Sequence, residues 1–192
     1  ERVFHFGRDE LSRMFPDLPP EAAEEVGGAL ASAAITARKP ARPWVEGEDY
    51  RIRTARPEDL GRLEELLLEC ALPIQGVREH LESFLVAERE GKLIGSAGLE
   101  IASGAALLRS VASAASARKR RVAETLVRRA LDRAAAAGAR SVFLLTETAS
   151  GWFERMGFAA VPRADLPGQI RSSSALEGIC PISSTCMKLE LR

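Results

Sequence analysis

The sequence predicts an α/β fold of the α+β type, in which helices flank a mixed, mostly antiparallel sheet. Strands predicted over 84–87 and 93–100 are separated by the turn Glu90-Gly91-Lys92, which is typical of a β-hairpin. Apolar residues at helical spacing follow the first and the fourth predicted strand, so each of these strands leads into a helix. A chain of 192 residues with 46% hydrophobic content can bury one core and carry a small appendage.

The first helix is predicted to follow a short strand at Arg51-Ile52-Arg53. Pro57, Glu58 and Asp59 open it, because proline and acidic residues both suit the first turn of a helix. Its apolar face carries Leu60, Leu63, Leu66 and Leu67. A second short helix is predicted over 77–82.

The second half of the main domain continues the alternation of strands and helices. A fourth strand over 107–113 leads through a loop of small and basic residues into a helix over 121–137, which Gly138 ends as a C-cap. A fifth strand at 142–145, a short helix over 149–156 and a final strand over 186–191 complete the prediction.

The organisation of the chain changes near residue 40. Residues 41–49 are predicted to be a linker, because Pro43 and Gly47 stand there among polar residues. Residues 1–40 are too few to bury a core of their own, which makes them an N-terminal extension or the remnant of an upstream domain. Residues 50–192 form the main domain.

Composition narrows the classes of function. The 27 basic and 27 acidic residues balance, which argues against a nucleic-acid partner because the broad positive field is missing. No apolar run reaches the roughly 18 residues that a membrane-spanning helix needs. The three cysteines form no Cys-x-x-Cys motif and cannot all pair, which indicates reduced thiols and a cytoplasmic location.

The loop between the fourth strand and its helix has the layout that seats a diphosphate on a helix N-terminus. It resembles the acetyl-CoA-binding motif of the GNAT acyltransferase superfamily, which reads Arg or Gln, two residues, Gly, one residue, Gly or Ala. Arg118 and Ala123 match this motif, whereas Arg121 stands at a glycine position and Lys119 at a neighbouring position that is often glycine.

The resemblance implies a GNAT fold with about seven strands and acetyl transfer from acetyl-CoA to the amine of a small molecule. It implies that the backbone of Val111 and Ser113 binds the pantetheine arm. The diphosphate would be bound by the loop and the helix start, residues Arg118, Lys119, Arg120, Arg121, Val122 and Ala123.

The side chain at position 121 leaves two outcomes open. Its guanidinium either folds outward and pairs with a phosphate, or it blocks the place where backbone N–H groups approach the diphosphate. We favour obstruction, because Arg118 already holds the basic position. Lys119 and Arg120 also fit a solvated charged face.

A second segment, 149–158, resembles the GNAT helix in which an aromatic pair precedes Gly-Phe. Many members carry a tyrosine at the second aromatic position, and its hydroxyl protonates the departing thiolate. Phe153 stands there and donates no proton, which lowers the expected rate without forbidding the reaction, because a thiolate with a pKa of about 8.5 leaves unaided.

Candidates for the remaining chemistry are carboxylates and arginines. By family topology Glu100 is the first candidate for the general base and Glu147 the second. Three guanidinium groups, those of Arg109, Arg163 and Arg171, are candidates for clamping an acceptor carboxylate or oxyanion. His5 and His80 receive no role, and no residue is predicted to bind a resident metal.

Both ends of the chain carry further resemblances. Residues 163–189 resemble the tail of arsenic-resistance N-acetyltransferases, and residues 4–40 resemble the closing stretch of arsenite methyltransferases. Together they imply an arsenical or amino-acid-like acceptor and a fused or neighbouring methyltransferase; a homodimer is the other protein partner considered. Cys180 and Cys186 suit trivalent arsenic as soft ligands, but free cysteines are more often small buried residues, here of a core strand and its preceding loop, and we favour that interpretation. The alternative function is a catalytically impaired GNAT module that acts as a regulatory partner of a methyltransferase.

Overall fold

The computed structural model describes residues 50–102, 104–171 and 183–191, and for residues 118–120 it describes the backbone alone. The predicted extension over 1–40 and the linker over 41–49 lie outside the described residues. The helices are α1 (Leu60–Glu69), α2 (Val122–Ala136), α3 (Ser150–Arg155) and α4 (Gly168–Arg171). The strands are β1 (Arg51–Thr54), β2 (Phe84–Arg89), β3 (Lys92–Ala102), β4 (Ala105–Ser113), β5 (Ser141–Thr146), β6 (Ala159–Ala160) and β7 (Thr185–Glu190).

These strands form one sheet in the order β1-β2-β3-β4-β5-β7-β6. All neighbouring pairs are antiparallel except β4 and β5, which run parallel. The predicted class, a mostly antiparallel sheet flanked by helices, is confirmed. In the described part of the chain, no helix is both long enough and apolar enough to cross a membrane.

The two long helices cover opposite faces of the sheet. α2 packs Val122, Leu126 and Ala130 against a cluster that includes Leu108 of β4. Gly95 of β3 permits this approach, because a Cβ there would lie 2.6 Å from the Val122 Cγ1 atom. α1 packs Leu63, Leu66 and Leu67 against Phe84 and Val86, which alternate along β2 with residues of the first cluster.

The predicted helix over 77–82 is wrong. Residues 75–80 form turns, and only Leu81–Ser83 form a short 3-10 helix. Gly76 has a φ of +71°, outside the helical region, and Val77 is the one buried residue over 77–82. Six residues with so little apolar face do not repay the cost of helix nucleation.

A buried ion-pair network joins β1 to the start of α1. The fully buried Asp59 accepts hydrogen bonds from Arg53, at 2.5 and 2.9 Å, and from the backbone N–H of Arg56, at 2.8 Å. Arg62 also pairs with it. Hydrogen bonds from Arg53 lower the pKa of Asp59 to about 2, against a desolvation effect that would raise it.

β4 carries a β-bulge in its middle. Arg109 lies opposite Gly98 and Ala112 lies opposite Ser96, so β4 spends one residue more than β3 between these pairs. Ser110 has a φ of +51°, in the left-handed region. The fully buried Ser96 donates its hydroxyl hydrogen bond to the Ser110 carbonyl at 2.9 Å and so holds the bulge in place.

Candidate active site

A cleft opens where β4 and β5 diverge. The two strands pair at three positions only, from Ala105 opposite Ser141 to Leu107 opposite Phe143. Beyond that point a space of about 500 Å³ lies between them, lined by residues 107–113 and 144–149 and by residues 70–73 after α1. Phe153 and Ser184 complete the lining.

The backbone of β4 presents hydrogen-bonding groups to this cleft. The Ala114 N–H donates to the Ile94 carbonyl at 3.0 Å, on the β3 side. Backbone groups of successive residues point to opposite edges of a strand, so Ser113 and Val111 direct their N–H and C=O groups toward the cleft. The resemblance places pantetheine contacts at these two residues.

The helix N-terminus lies directly after the same strand. A 3-10 helix over Ala115–Arg120 leads to Arg121, and the first hydrogen bond of α2 joins the Thr125 N–H to the Arg121 carbonyl at 3.0 Å. The preceding amides, at 122–124, therefore have no acceptor within the helix. Oriented amides and a helix of 15 residues together favour an anion at this end. The side chains of Arg118, Lys119 and Arg120 lie outside the description, so their roles stay predictions.

Arg121 has a left-handed backbone and an engaged side chain. Its φ is +57° and its ψ is 21°, a conformation that favours glycine. Its guanidinium donates two hydrogen bonds of 2.7 Å to the Glu124 carboxylate, and the side chain is 68% exposed. Burial alone would raise the pKa of Glu124, but hydrogen bonds from Arg121 and Arg128 outweigh it and lower that pKa. A phosphate would have to share or replace Glu124 as the partner of Arg121.

Arg109 and Glu100 form an ion pair that the sequence did not predict. The Arg109 Nη1 atom donates to Glu100 Oε1 at 2.9 Å, and the side chains are only 8% and 13% exposed. The Nη2 atom of Arg109 donates to the Gln75 carbonyl at 2.5 Å, and its Cζ atom lies 5.9 Å from the centroid of the Phe84 ring. Arg109 lines the cleft, whereas Glu100 lines a neighbouring cavity of about 570 Å³.

Glu147 is the carboxylate that lies in the cleft itself. It follows the end of β5, is exposed, and lines the space between the diverging strands. The two base candidates thus lie in different surroundings, because Glu100 is paired with a cation and Glu147 faces the cleft.

The three arginines predicted to clamp an acceptor do not come together. The Arg171 guanidinium donates to the carbonyls of Ala164 and Leu166 at 3.0 Å each and so closes its own turn. Arg163 begins the 3-10 helix Arg163–Asp165, and neither of these arginines lines the cleft.

Phe153 lies at the inner wall of the cleft. It is 6% exposed and makes edge-to-face contacts with Trp152 and Phe158, at centroid distances of 4.8 and 5.5 Å. The helix predicted over 149–156 is present as α3, and it supplies an aromatic wall without a hydroxyl at this position.

The cysteines differ in their surroundings. Cys186 is 4% exposed in a hydrophobic cluster on β7, and burial raises the pKa of its thiol. Cys180 lies outside the described residues. Cys70 lines the cleft, with its Sγ atom 3.7 Å from the Ser113 carbonyl.

Comparison with known proteins supports the fold. The profile of the acetyltransferase (GNAT) family matches residues 43–158. An amino-acid acetyltransferase of Pseudomonas fluorescens is 36% identical over 150 residues, covering 73% of this chain and 34% of that protein. One from Aeromonas salmonicida is 32% identical over 124 residues, covering 60% and 28%. The chain therefore spans about a third of the length of these curated relatives.

Solved structures share the architecture. N-acetylglutamate synthase from Neisseria gonorrhoeae, complexed with coenzyme A and N-acetyl-glutamate, superposes with a TM-score of 0.64 at 22% identity, covering 74% of this chain and 35% of that one. A GNAT acetyltransferase from Staphylococcus aureus Mu50 gives 0.63 at 16% identity, covering 74% and 99%. The match of the family profile over more than half of the residues and the shared sheet topology show that this chain belongs to the GNAT family of acetyltransferases.

Proposed function

We propose that the chain transfers acetyl from acetyl-CoA to the amine of a small, amino-acid-like acceptor. The observation that carries this proposal is the cleft between β4 and β5, which places an open strand edge next to the N-terminus of α2. A strand edge and a helix N-terminus are complementary to the two halves of coenzyme A, since pantetheine carries amides and the rest carries a diphosphate.

The residues present fit acetyl-CoA. Val111 and Ser113 offer backbone groups to the pantetheine amides, and the free amides at 122–124 offer donors to the diphosphate. Phe153 adds an apolar ring to the lining of the cleft. When bound, acetyl-CoA supplies the thioester whose carbonyl carbon an amine attacks.

The general base must take a proton from the acceptor ammonium, directly or through water. We infer that Glu147 has this role in preference to Glu100. Glu147 is exposed in the cleft, whereas the Glu100 carboxylate is engaged by Arg109 at 2.9 Å and lines the neighbouring cavity, so it is not available to an acceptor in the cleft. The thiolate leaves without a protein acid at position 153.

The acceptor class rests on the curated relatives, which are amino-acid acetyltransferases. Arsenic resistance is a narrower proposal that rests on the tail over 163–189, and an arsenical amine therefore belongs in the acceptor panel. We also propose a cytoplasmic location and a fused or neighbouring methyltransferase.

Two measurements test the proposed function. Acetyl-CoA at one hundred times its Kd should raise the free energy of unfolding by about 2.7 kcal/mol, seen as a rise in Tm. Release of the coenzyme A thiol in the presence of an amino-acid panel should then show turnover. No stabilisation at millimolar acetyl-CoA, or binding without turnover on any acceptor of the panel, would contradict the proposed acetyl transfer and favour the regulatory module.

The base is tested by Glu147→Gln, with Glu154→Gln as the control, because Glu154 is an exposed carboxylate on α3. Glu147→Gln should lower kcat by about 100-fold or more, the usual contribution of a general base, and should flatten the acidic limb of the pH–rate profile. Glu154→Gln should leave both unchanged. If Glu100→Gln alone flattens the profile, the first candidate from the sequence is the base.

A further inference from the structure

Resting on the proposed function, we propose that the acceptor is a non-acidic amine: an amine or amino acid without a carboxylate in its side chain. A dicarboxylic amino acid such as glutamate is then a poor substrate. The inference comes from the charges that line the cleft, and it narrows the acceptor class beyond what the relatives indicate.

The cleft offers few cations to an acceptor. Among the described residues that line it, Arg109 is the one arginine, and there is no lysine. The basic residues over 118–121 stand at the start of α2, the end of the cleft that suits the diphosphate.

Arg109 is already engaged on all three nitrogens. Its Nη1 atom pairs with Glu100, its Nη2 atom with the Gln75 carbonyl, and its Nε atom lies 3.4 Å from the Ser110 hydroxyl. With the side chain 8% exposed, its charge is neutralised inside the protein. A carboxylate of the acceptor could gain Arg109 only by displacing a buried ion-pair partner, which would leave Glu100 unpaired.

Among the described residues that line the cleft, the charge left without an ion-pair partner inside it is acidic. Glu147 lines the cleft, and the neighbouring cavity is lined by Glu82 and Glu100. Arg133 also lines that cavity, and its Nη2 atom donates to the Glu82 carbonyl at 3.2 Å. A second carboxylate on the acceptor would therefore meet the like charge of Glu147 and no unengaged guanidinium among the described residues of the cleft, whereas an amide or a cationic group would not be repelled.

The test compares pairs of acceptors that differ by one charge. Initial rates of coenzyme A release are measured with glutamate and glutamine, with aspartate and asparagine, and with leucine and lysine. We expect each amide to exceed its acid in kcat/KM by at least about tenfold, because a group left without a partner is rejected strongly.

Two variants test whether the preference for amides depends on the ion pair between Arg109 and Glu100. Glu100→Gln releases Arg109 from its partner, so the preference for amide over acid should fall several-fold. Glu65→Gln makes the same charge change at an exposed position on α1 and should leave the preference unchanged.

The outcomes distinguish this inference from the proposed function. Acetylation of glutamate or aspartate as fast as its amide would overturn the inference and keep the acetyl transfer. A preference for amides that Glu100→Gln does not alter would overturn the role given to the Arg109 pair. If acetyl-CoA neither binds nor turns over, the proposed function fails and the inference fails with it.

Discussion

Arg121 combines two features that oppose each other energetically. A left-handed backbone costs a residue with a Cβ roughly 1 to 2 kcal/mol, while an exposed ion pair such as the one with Glu124 returns about 0.5 kcal/mol. The position therefore favours glycine in the folded chain. The guanidinium is held by Glu124 in the first turn of α2, and obstruction of the diphosphate stays a prediction for experiment.

Replacing this residue separates the effects of backbone and side chain. Arg121→Gly should be more stable than Arg121→Ala by about 1 kcal/mol in denaturant unfolding, because only glycine adopts a positive φ without strain. Arg121→Gly should also bind acetyl-CoA more tightly in calorimetric titration, since the backbone amides become more accessible.

Arg121→Ala serves as the control, because it removes the guanidinium and keeps a Cβ. If both variants bind acetyl-CoA more weakly by a similar factor, the guanidinium leaves Glu124 for the diphosphate and obstruction is wrong. Equal binding by all three proteins would mean that position 121 does not reach the ligand.

β4 forms one wall of the cleft, and its two edges differ in their hydrogen bonds. Its β3 edge carries the ladder through Ala112 and Ala114, and its other edge is open at Val111 and Ser113. A proline at an open position removes a donor to the ligand without removing a hydrogen bond of the sheet.

Ser113→Pro should therefore weaken acetyl-CoA binding about 3- to 10-fold, the value of one net hydrogen bond, with a small change in Tm. Ala112→Pro is the matched comparison, because its N–H faces β3; it should mainly lower the free energy of unfolding. Unchanged acetyl-CoA affinity in Ser113→Pro would remove Ser113 from the proposed pantetheine contacts.

The strands and long helices could be predicted because their signals are local. The hairpin at Gly91, the helical spacing of the leucines in α1 and the C-cap at Gly138 all lie within single segments. β6 was not predicted, because Ala159 and Ala160 are two exposed small residues without periodicity.

The bulge in β4 could not be predicted for a related reason. Leu108 and Ala112 would share a face of a regular strand, and the bulge places them in different hydrophobic clusters. Ala112 is too small to signal this change of face in the sequence. The Arg109–Glu100 pair escaped prediction as well, since it depends on the register of β3 with β4.

At the scale of the whole molecule, acid should weaken the fold through Asp59. Its folded pKa of about 2 lies below the ordinary 3.8, so its contribution is present above the unfolded pKa and is lost as pH falls through the folded pKa. A shift of this size corresponds to about 2 kcal/mol of stability.

Asp59→Asn should accordingly lower the free energy of unfolding by at least about 2 kcal/mol at pH 7, with the deficit shrinking between pH 4 and pH 2. Asp132→Asn, an exposed position on α2, should stay within about 0.5 kcal/mol of the parent. A loss of stability in Asp59→Asn that is independent of pH would mean that packing, not charge, stabilises the contact between β1 and the start of α1.

The short pairing of β4 with β5 divides the sheet into a part of four strands and a part of three strands, which are joined at three residue pairs. In this sheet only the pairing of β6 with β7, over two residue pairs, is shorter. A ligand bound beyond the last residue pair would contact both parts of the sheet, and its own amides would replace the hydrogen bonds that β4 and β5 do not make to each other. The cosubstrate would then take the place of a strand between β4 and β5, and after each turnover the cleft would stay empty until the next molecule binds.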